Sequence, residues 1–278
     1  MSTKHKHDTV RSRDEKFVKK ITTKICEEIP SDTNPFITQQ KRFHGYELTS
    51  LMQQRSYSDV VFLLFLGELP NAEQSQLFEQ LMIALSNPGV RHPATRAAMN
   101  VGIGKTNPLH ILPVATGIAG GECMGGGNID GIMRFLRKNQ RKDAAELLPT
   151  VTAARRSQPE NSEYDAYTEC LPGFGWLYGG QDVFAESIAT RLRALPGAGS
   201  ALTFGCELAA ELDASNASWL MPGVASAVFS DLGFQPRVGG PLFQLLLAPG
   251  MLAHGLELAN KPITAMPFVA DEDYIIER

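Results

Sequence analysis

Residues Asn71 to Ser86 read Asn-Ala-Glu-Gln-Ser-Gln-Leu-Phe-Glu-Gln-Leu-Met-Ile-Ala-Leu-Ser, and their spacing decides the fold class. Leu77, Phe78, Leu81, Met82 and Leu85 recur at three- and four-residue intervals, which places them on one stripe of a helix, with Glu73, Gln74 and Gln76 outside it. Asn71 supplies the side-chain oxygen that a helix N-terminus needs. Working outward, the same periodicity predicts helices near Glu47–Gln54, Ser58–Leu66, Pro93–Gly102, Asn107–Gly120, Ile129–Asn139, Val183–Ala194, Ser200–Leu212, Pro222–Leu232 and Gly240–Asn260. Glycine- and proline-bearing breaks separate them, at Gly67–Pro70, Asn87–Gly89, Gly120–Gly127, Pro172–Gly180, Leu195–Gly199 and Gly233–Gly239. No sustained period-two alternation of β-branched residues occurs after the first residues, so the chain reads as all-α. The polar stretch Arg155 to Glu169 reads as a loop, and Pro249-Gly250 is expected to kink or break the last helix near Leu246.

Composition narrows the function classes. The 278 residues are 43% hydrophobic and 20% charged, which is globular and excludes collagen, coiled coil and wholesale disorder. The longest nearly apolar run, Pro241 to Ala253, is shorter than the roughly 20 residues a bilayer crossing needs. No membrane span is expected. Met1 to Lys20 carries seven Lys or Arg and three Asp or Glu without an apolar core, so it reads as neither a secretory signal nor a good transit peptide. A cytoplasmic protein is the expectation. The formal net charge of −4 includes about +4 from that segment, so the remainder is acidic and offers no basic face for nucleic acid. Cys26, Cys123, Cys170 and Cys206 match no zinc-ligand spacing and read as free thiols. His5 and His7 form an H-x-H pair in a solvated arm, and no metal site is expected.

Five segments together resemble the citrate synthase superfamily, in particular short bacterial citrate synthases and citryl-CoA lyase-like relatives. They are His44-Gly45-Tyr46-Glu47-Leu48, Ser58 to Pro70, the glycines of Gly120-Gly121 and Gly125-Gly126-Gly127, Leu171-Pro172-Gly173-Phe174-Gly175, and Gly240-Pro241-Leu242-Phe243 leading to Ala253-His254-Gly255-Leu256-Glu257. The resemblance covers roughly Arg42 to Pro262 and implies a helical homodimer with a cleft between a large and a small domain. Its domain reading is a basic, flexible arm over 1–40, a large domain over 41–170, a small domain over 171–232, and a return to the large domain over 233–278.

That family makes or breaks a carbon–carbon bond beside an acyl-CoA thioester. It uses a carboxylate base, two hydrogen-bonding histidines and carboxylate-binding arginines. Carried over position by position, the first histidine falls on Met124, the second on Trp176 and the base on Trp219. Two arginines fall on Phe184 and Leu247, and a further histidine falls on Pro88. None of these side chains is a practical acid or base, or binds a carboxylate by charge, so ordinary citrate synthesis is not expected. Three readings of the replacements stay open: an apolar pocket rebuilt for a less polar substrate, a filled cavity in a catalytically inactive regulatory or protein-binding relative, and ordinary core residues. The remaining catalytic candidates are Glu122 and Cys123 in the glycine-rich turn and Asp182, for which capping the following helix is the competing role. Gly173, Phe174, Gly175 and Tyr178 form the turn that the resemblance puts on the CoA side, and a CoA thioester is the expected substrate rather than a resident cofactor. His254 reads as structural. Gly102-Ile103-Gly104-Lys105-Thr106 mimics the end of a phosphate-binding loop, but Met99 occupies the required first glycine and no strand precedes it.

Overall fold

The structure is a computed structural model that describes residues 19–149, 167–267 and 269–277. Two compact units divide between Arg55 and Ser56. The expected boundaries at 170/171 and 232/233 both fall inside the second unit.

In the first unit, β1 (Cys26–Pro30) pairs antiparallel with β2 (Thr38–Phe43), which pairs with β3 (Tyr46–Glu47), and α1 (Leu48–Gln54) follows. Part of the segment expected as a flexible arm is therefore strand. The β2–β3 connection is the two-residue turn His44-Gly45, with φ of 46° and 88°. Successive positive φ values match the right-handed twist of the flanking strands, which explains the glycine.

The second unit holds α2 (Tyr57–Leu66), α3 (Ala72–Leu85), α4 (Pro93–Ile103), α5 (Ile111–Ala119), α6 (Ile129–Asn139), α7 (Val183–Arg193), α8 (Ser200–Leu212), α9 (Met221–Asp231) and α10 (Pro236–Ala259). Each lies within a few residues of its predicted span. Capping boxes start α2 and α3: Ser56 with Asp59, and Asn71 with Gln74. Leu77, Phe78, Leu81 and Leu85 are buried, as the stripe requires, and Phe62, Phe78, Phe229 and Phe234 form an aromatic cluster with ring centroids 5.4 to 5.8 Å apart.

The all-helical reading needs one amendment. Tyr167–Leu171 (β4), Phe174–Leu177 (β5) and Ser218–Trp219 (β6) form a second antiparallel sheet, pairing Thr168 with Trp176 and Phe174 with Trp219. The end of the stretch read as a loop is thus a strand. At Gly175 a Cβ would lie 1.9 Å from the Thr168 carbonyl oxygen, so the hairpin closes only around a glycine.

α10 crosses α4 most extensively and also packs on α5 and α6. Its 24 residues are long and apolar enough to cross a bilayer by length and composition, which the apolar-run count did not anticipate. Here it is a core helix with Leu242, Phe243, Leu246, Leu247, Met251 and Leu258 buried. Neither internal proline ends it. Pro249 lacks an N–H, and the next amide, of Gly250, donates to the Ser86 carbonyl at 2.7 Å. The helical ladder thus opens locally to receive the loop after α3, and a Cβ on Gly250 would lie 2.5 Å from Asn87 Cα.

Candidate functional site

Where the loop after α3 meets α10, it borders a cavity of about 580 Å³, within the size range of small-molecule sites. The glycine-rich turn after α5, the end of the β4–β5 hairpin, the start of α7 and the start of α9 complete its wall.

The glycine-rich turn positions Met124. Gly126 N–H donates to the Ala119 carbonyl at 2.8 Å and Gly127 N–H to the Gly121 carbonyl at 3.0 Å, which folds the turn back on α5. Met124 sits at φ 57°, and its carbonyl lies 3.0 Å from His92 Nε2. His92 is also the N-cap of α4, its Nδ1 accepting from Ala94 N–H at 3.2 Å. With Nδ1 an acceptor, the proton resides on Nε2, which donates to Met124. Both nitrogens are therefore committed, and burial holds the imidazolium pKa below its ordinary value despite the Met124 carbonyl. His92 is a neutral strut between α4 and the turn. Below about pH 6.5 the unfolded chain takes up this proton before the native state does, so the stability His92 contributes near neutrality is lost as pH falls toward its lower folded value. In H92N an amide oxygen can still cap α4 without titrating. Melts at about pH 7.5 and 5.5 should show the wild type losing its advantage over H92N at the lower pH. An advantage independent of pH would mean that a charged imidazole is accommodated.

Polar groups on the remaining wall are few. Tyr167 hydroxyl donates to Glu169 Oε1 at 2.7 Å, and burial, reinforced by that carboxylate, raises the phenol's pKa far above its ordinary value. Burial also raises the Glu169 carboxyl, outweighing hydrogen bonds from Tyr167 and the Gly173 amide. Asp182 caps α7 through Ala185 N–H at 3.0 Å, and its own amide donates to Ser218 Oγ at 2.8 Å. Its carboxyl pKa is raised by burial against the opposing Ala185 and Phe184 amides. Asp182 thus serves as the helix cap and is also a lining residue of the cavity.

Of the positions carried over from the resemblance, Pro88, Met124, Phe184 and Leu247 line the cavity, together with Asp182 and Tyr178. Trp176 and Trp219 do not, which corrects their expected convergence. Trp219 is fully buried and stacked on Phe174, with centroids 4.3 Å apart, while Trp176 is buried and donates its indole N–H to the Ser215 carbonyl at 3.2 Å. Both face the core because short strands β5 and β6 place alternate side chains on opposite sides. Gly173 (φ 84°), Phe174 and Gly175 form the buried β4–β5 turn behind the wall rather than the wall itself. Glu122 and Cys123 are exposed in the turn beside Met124 and outside the lining.

Sequence reasoning missed Arg91, His92, Tyr167 and Glu169. Pro93, favourable at a helix's first position, was the available pointer to His92 as the cap before it. His254 Nε2 lies 3.3 Å from Asn87 Oδ1, so it braces the loop from α10. Lys105, in the phosphate-loop mimic, donates to the Ala259 carbonyl at 2.8 Å and to the Lys261 carbonyl, closing the C-terminal end of α10. Among the described residues no group of three His, Cys, Asp or Glu could hold a metal ion.

No protein-family model matches the chain and no curated protein is similar to it. Solved structures are. Citryl-CoA lyase from Hydrogenobacter thermophilus superposes with a TM-score of 0.71 at 22% identity, over 93% of this chain and 94% of that one. ATP citrate lyase from Methanothrix soehngenii, in complex with citrate and coenzyme A, gives 0.64 at 15% identity over 94% of this chain and 44% of its own. Citrate synthase from Pyrobaculum aerophilum gives 0.56 at 17% identity over 80% of this chain and 55% of its own. The chain spans less than half the length of that ATP citrate lyase.

Proposed function

Starting from a chain that has the fold of the citrate synthase superfamily, we propose that this protein binds an acyl-CoA thioester in the 580 Å³ cavity. There it makes or breaks a carbon–carbon bond next to the thioester, with a partner substrate less polar than citrate or oxaloacetate. The observation that carries the reading is the wall itself. Met124, Phe184 and Leu247 line it where the resemblance puts a histidine and two arginines, so the cavity favours apolar groups over several carboxylates.

In the cleavage direction a base takes the proton of a hydroxyl on the carbon to be released. The bond to the thioester-bearing carbon breaks, its electron pair forms the thioester enolate, and the same base returns its proton to the enolate carbon. Asp182 is the base in this proposal, because it lines the cavity and burial brings its carboxyl pKa up from the ordinary aspartate range. Tyr167, held by Glu169, orients the substrate from β4. We also propose a homodimer, supported by α5, which exposes Val114 and Ile118 on its apolar outer side. Sedimentation of the full chain checks it.

Calorimetric titration with CoA, acetyl-CoA and longer acyl-CoAs tests the proposal. Each added methylene should tighten binding about three- to fourfold, following the roughly 0.8 kcal/mol gained per buried CH₂. Absence of binding by any thioester would refute it and favour an inactive protein-binding relative, a second reading supported by the fully buried Trp219 at the position where the resemblance puts the base. M124H should yield no citryl-CoA cleavage, since it restores one hydrogen bond and none of the carboxylate-binding groups. A progress curve above the uncatalysed rate would contradict the account.

A further inference from the structure

Arg91 is the only Lys or Arg among the described residues lining the cavity. It precedes the N-cap His92, is exposed, and makes no ion pair among the described residues. The other polar side chains of that loop are already occupied. Asn87 accepts from Gly89 N–H at 3.0 Å and meets His254, and His92 has both nitrogens bonded. Across the cavity the one carboxylate is Asp182, and the surfaces between are Leu85, Leu177, Leu220 and Phe243. From this distribution we infer that the substrate paired with the thioester is a monocarboxylate with an apolar chain, whose carboxylate is held by the Arg91 guanidinium.

The guanidinium presents parallel N–H donors that match one carboxylate. A second or third carboxylate would find no cation among the described lining residues and would meet Asp182 instead, so citrate and oxaloacetate are poor fits. The carbon chain of a monocarboxylate, by contrast, meets Leu85, Leu177, Leu220 and Phe243. This inference rests on the proposed thioester chemistry for the identity of the cavity, and it adds the class of the second substrate.

The test is calorimetric titration of 4-methyl-2-oxopentanoate, its methyl ester, oxaloacetate and citrate into wild type, R91Q and R96Q. Arg96 is an exposed neighbour outside the lining. Wild type should bind the monocarboxylate more tightly than either polycarboxylate. R91Q should weaken it by about tenfold or more, as the loss of a charge-assisted pair implies, while R96Q stays within about twofold. The methyl ester should bind wild type about as weakly as the acid binds R91Q, an arm that does not depend on the folding of any variant. Unchanged affinity in R91Q, tighter binding of oxaloacetate or citrate, or no carboxylate binding by wild type would each overturn the inference. Acyl-CoA titrated into the same proteins separates the two proposals. Monocarboxylate binding without thioester binding would sink the proposed function and leave the Arg91 site standing.

Discussion

Replacing Trp219 with aspartate, the residue type that the family resemblance puts there, should unfold the protein rather than restore a catalytic base. The indole is fully buried and stacked on Phe174, and Gly205 lies so close that a Cβ there would be 2.1 Å from the ring. Emptying such a site costs about 3–5 kcal/mol for an aromatic side chain, and an unpaired buried carboxylate adds several more. A total above about 5 kcal/mol corresponds to a fall in Tm of roughly 10–20 °C for a domain of this size. W219F, which keeps an aromatic ring, should lose only a few degrees. Calorimetric melts of both variants give the comparison. A W219D protein as stable as wild type would mean that position 219 faces open space and that the packing described for β6 is wrong.

G102V should be nearly as damaging, through the crossing of α4 and α10. A Cβ at Gly102 would lie 2.0 Å from the Gly255 carbonyl oxygen and 3.1 Å from the Ala259 amide, all of it backbone that a rotamer change cannot relieve. The two helices would have to separate over their most extensive contact, and loss of more than about 3 kcal/mol is expected, at the upper end of overpacking effects. Urea titration should show the midpoint fall in proportion. Because α10 also carries Leu247 and Gly250, the displaced helix should weaken ligand binding even in protein that remains folded at low temperature. An unchanged midpoint would contradict the close crossing.

The helices were legible because their determinants are local: a stripe repeating every three or four residues, Ser56 and Asn71 as caps, and proline or glycine at the ends. The second sheet was not, because its strands are short and rich in glycine and aromatics. Its register is also set by partners distant in sequence, as when Phe174 pairs with Trp219. That pairing sends Trp219 into the core while the adjacent Ser218 hydroxyl receives the Asp182 amide, so a shift of one residue exchanges core for site. Tyr167 and Glu169 were hidden at the end of a polar stretch for the same reason. Pro249-Gly250 carries the expectation of a kink or a break, and the helix continues through it, because Ser86 supplies the Gly250 amide with an acceptor that only the folded chain brings near. Met124, Phe184, Leu247 and Pro88 could be located from glycine-rich landmarks, whereas Arg91 carries no landmark of its own.

A crystal structure grown with saturating 4-methylpentanoyl-CoA tests the central claim most directly. The account predicts that the branched acyl chain occupies the hollow beside Met124, Phe184 and Leu247, with Asp182 beside the carbon next to the thioester and the Arg91 side left open for the second substrate. Acyl density at any other surface of the chain, or a hollow that stays empty at saturation, would contradict it.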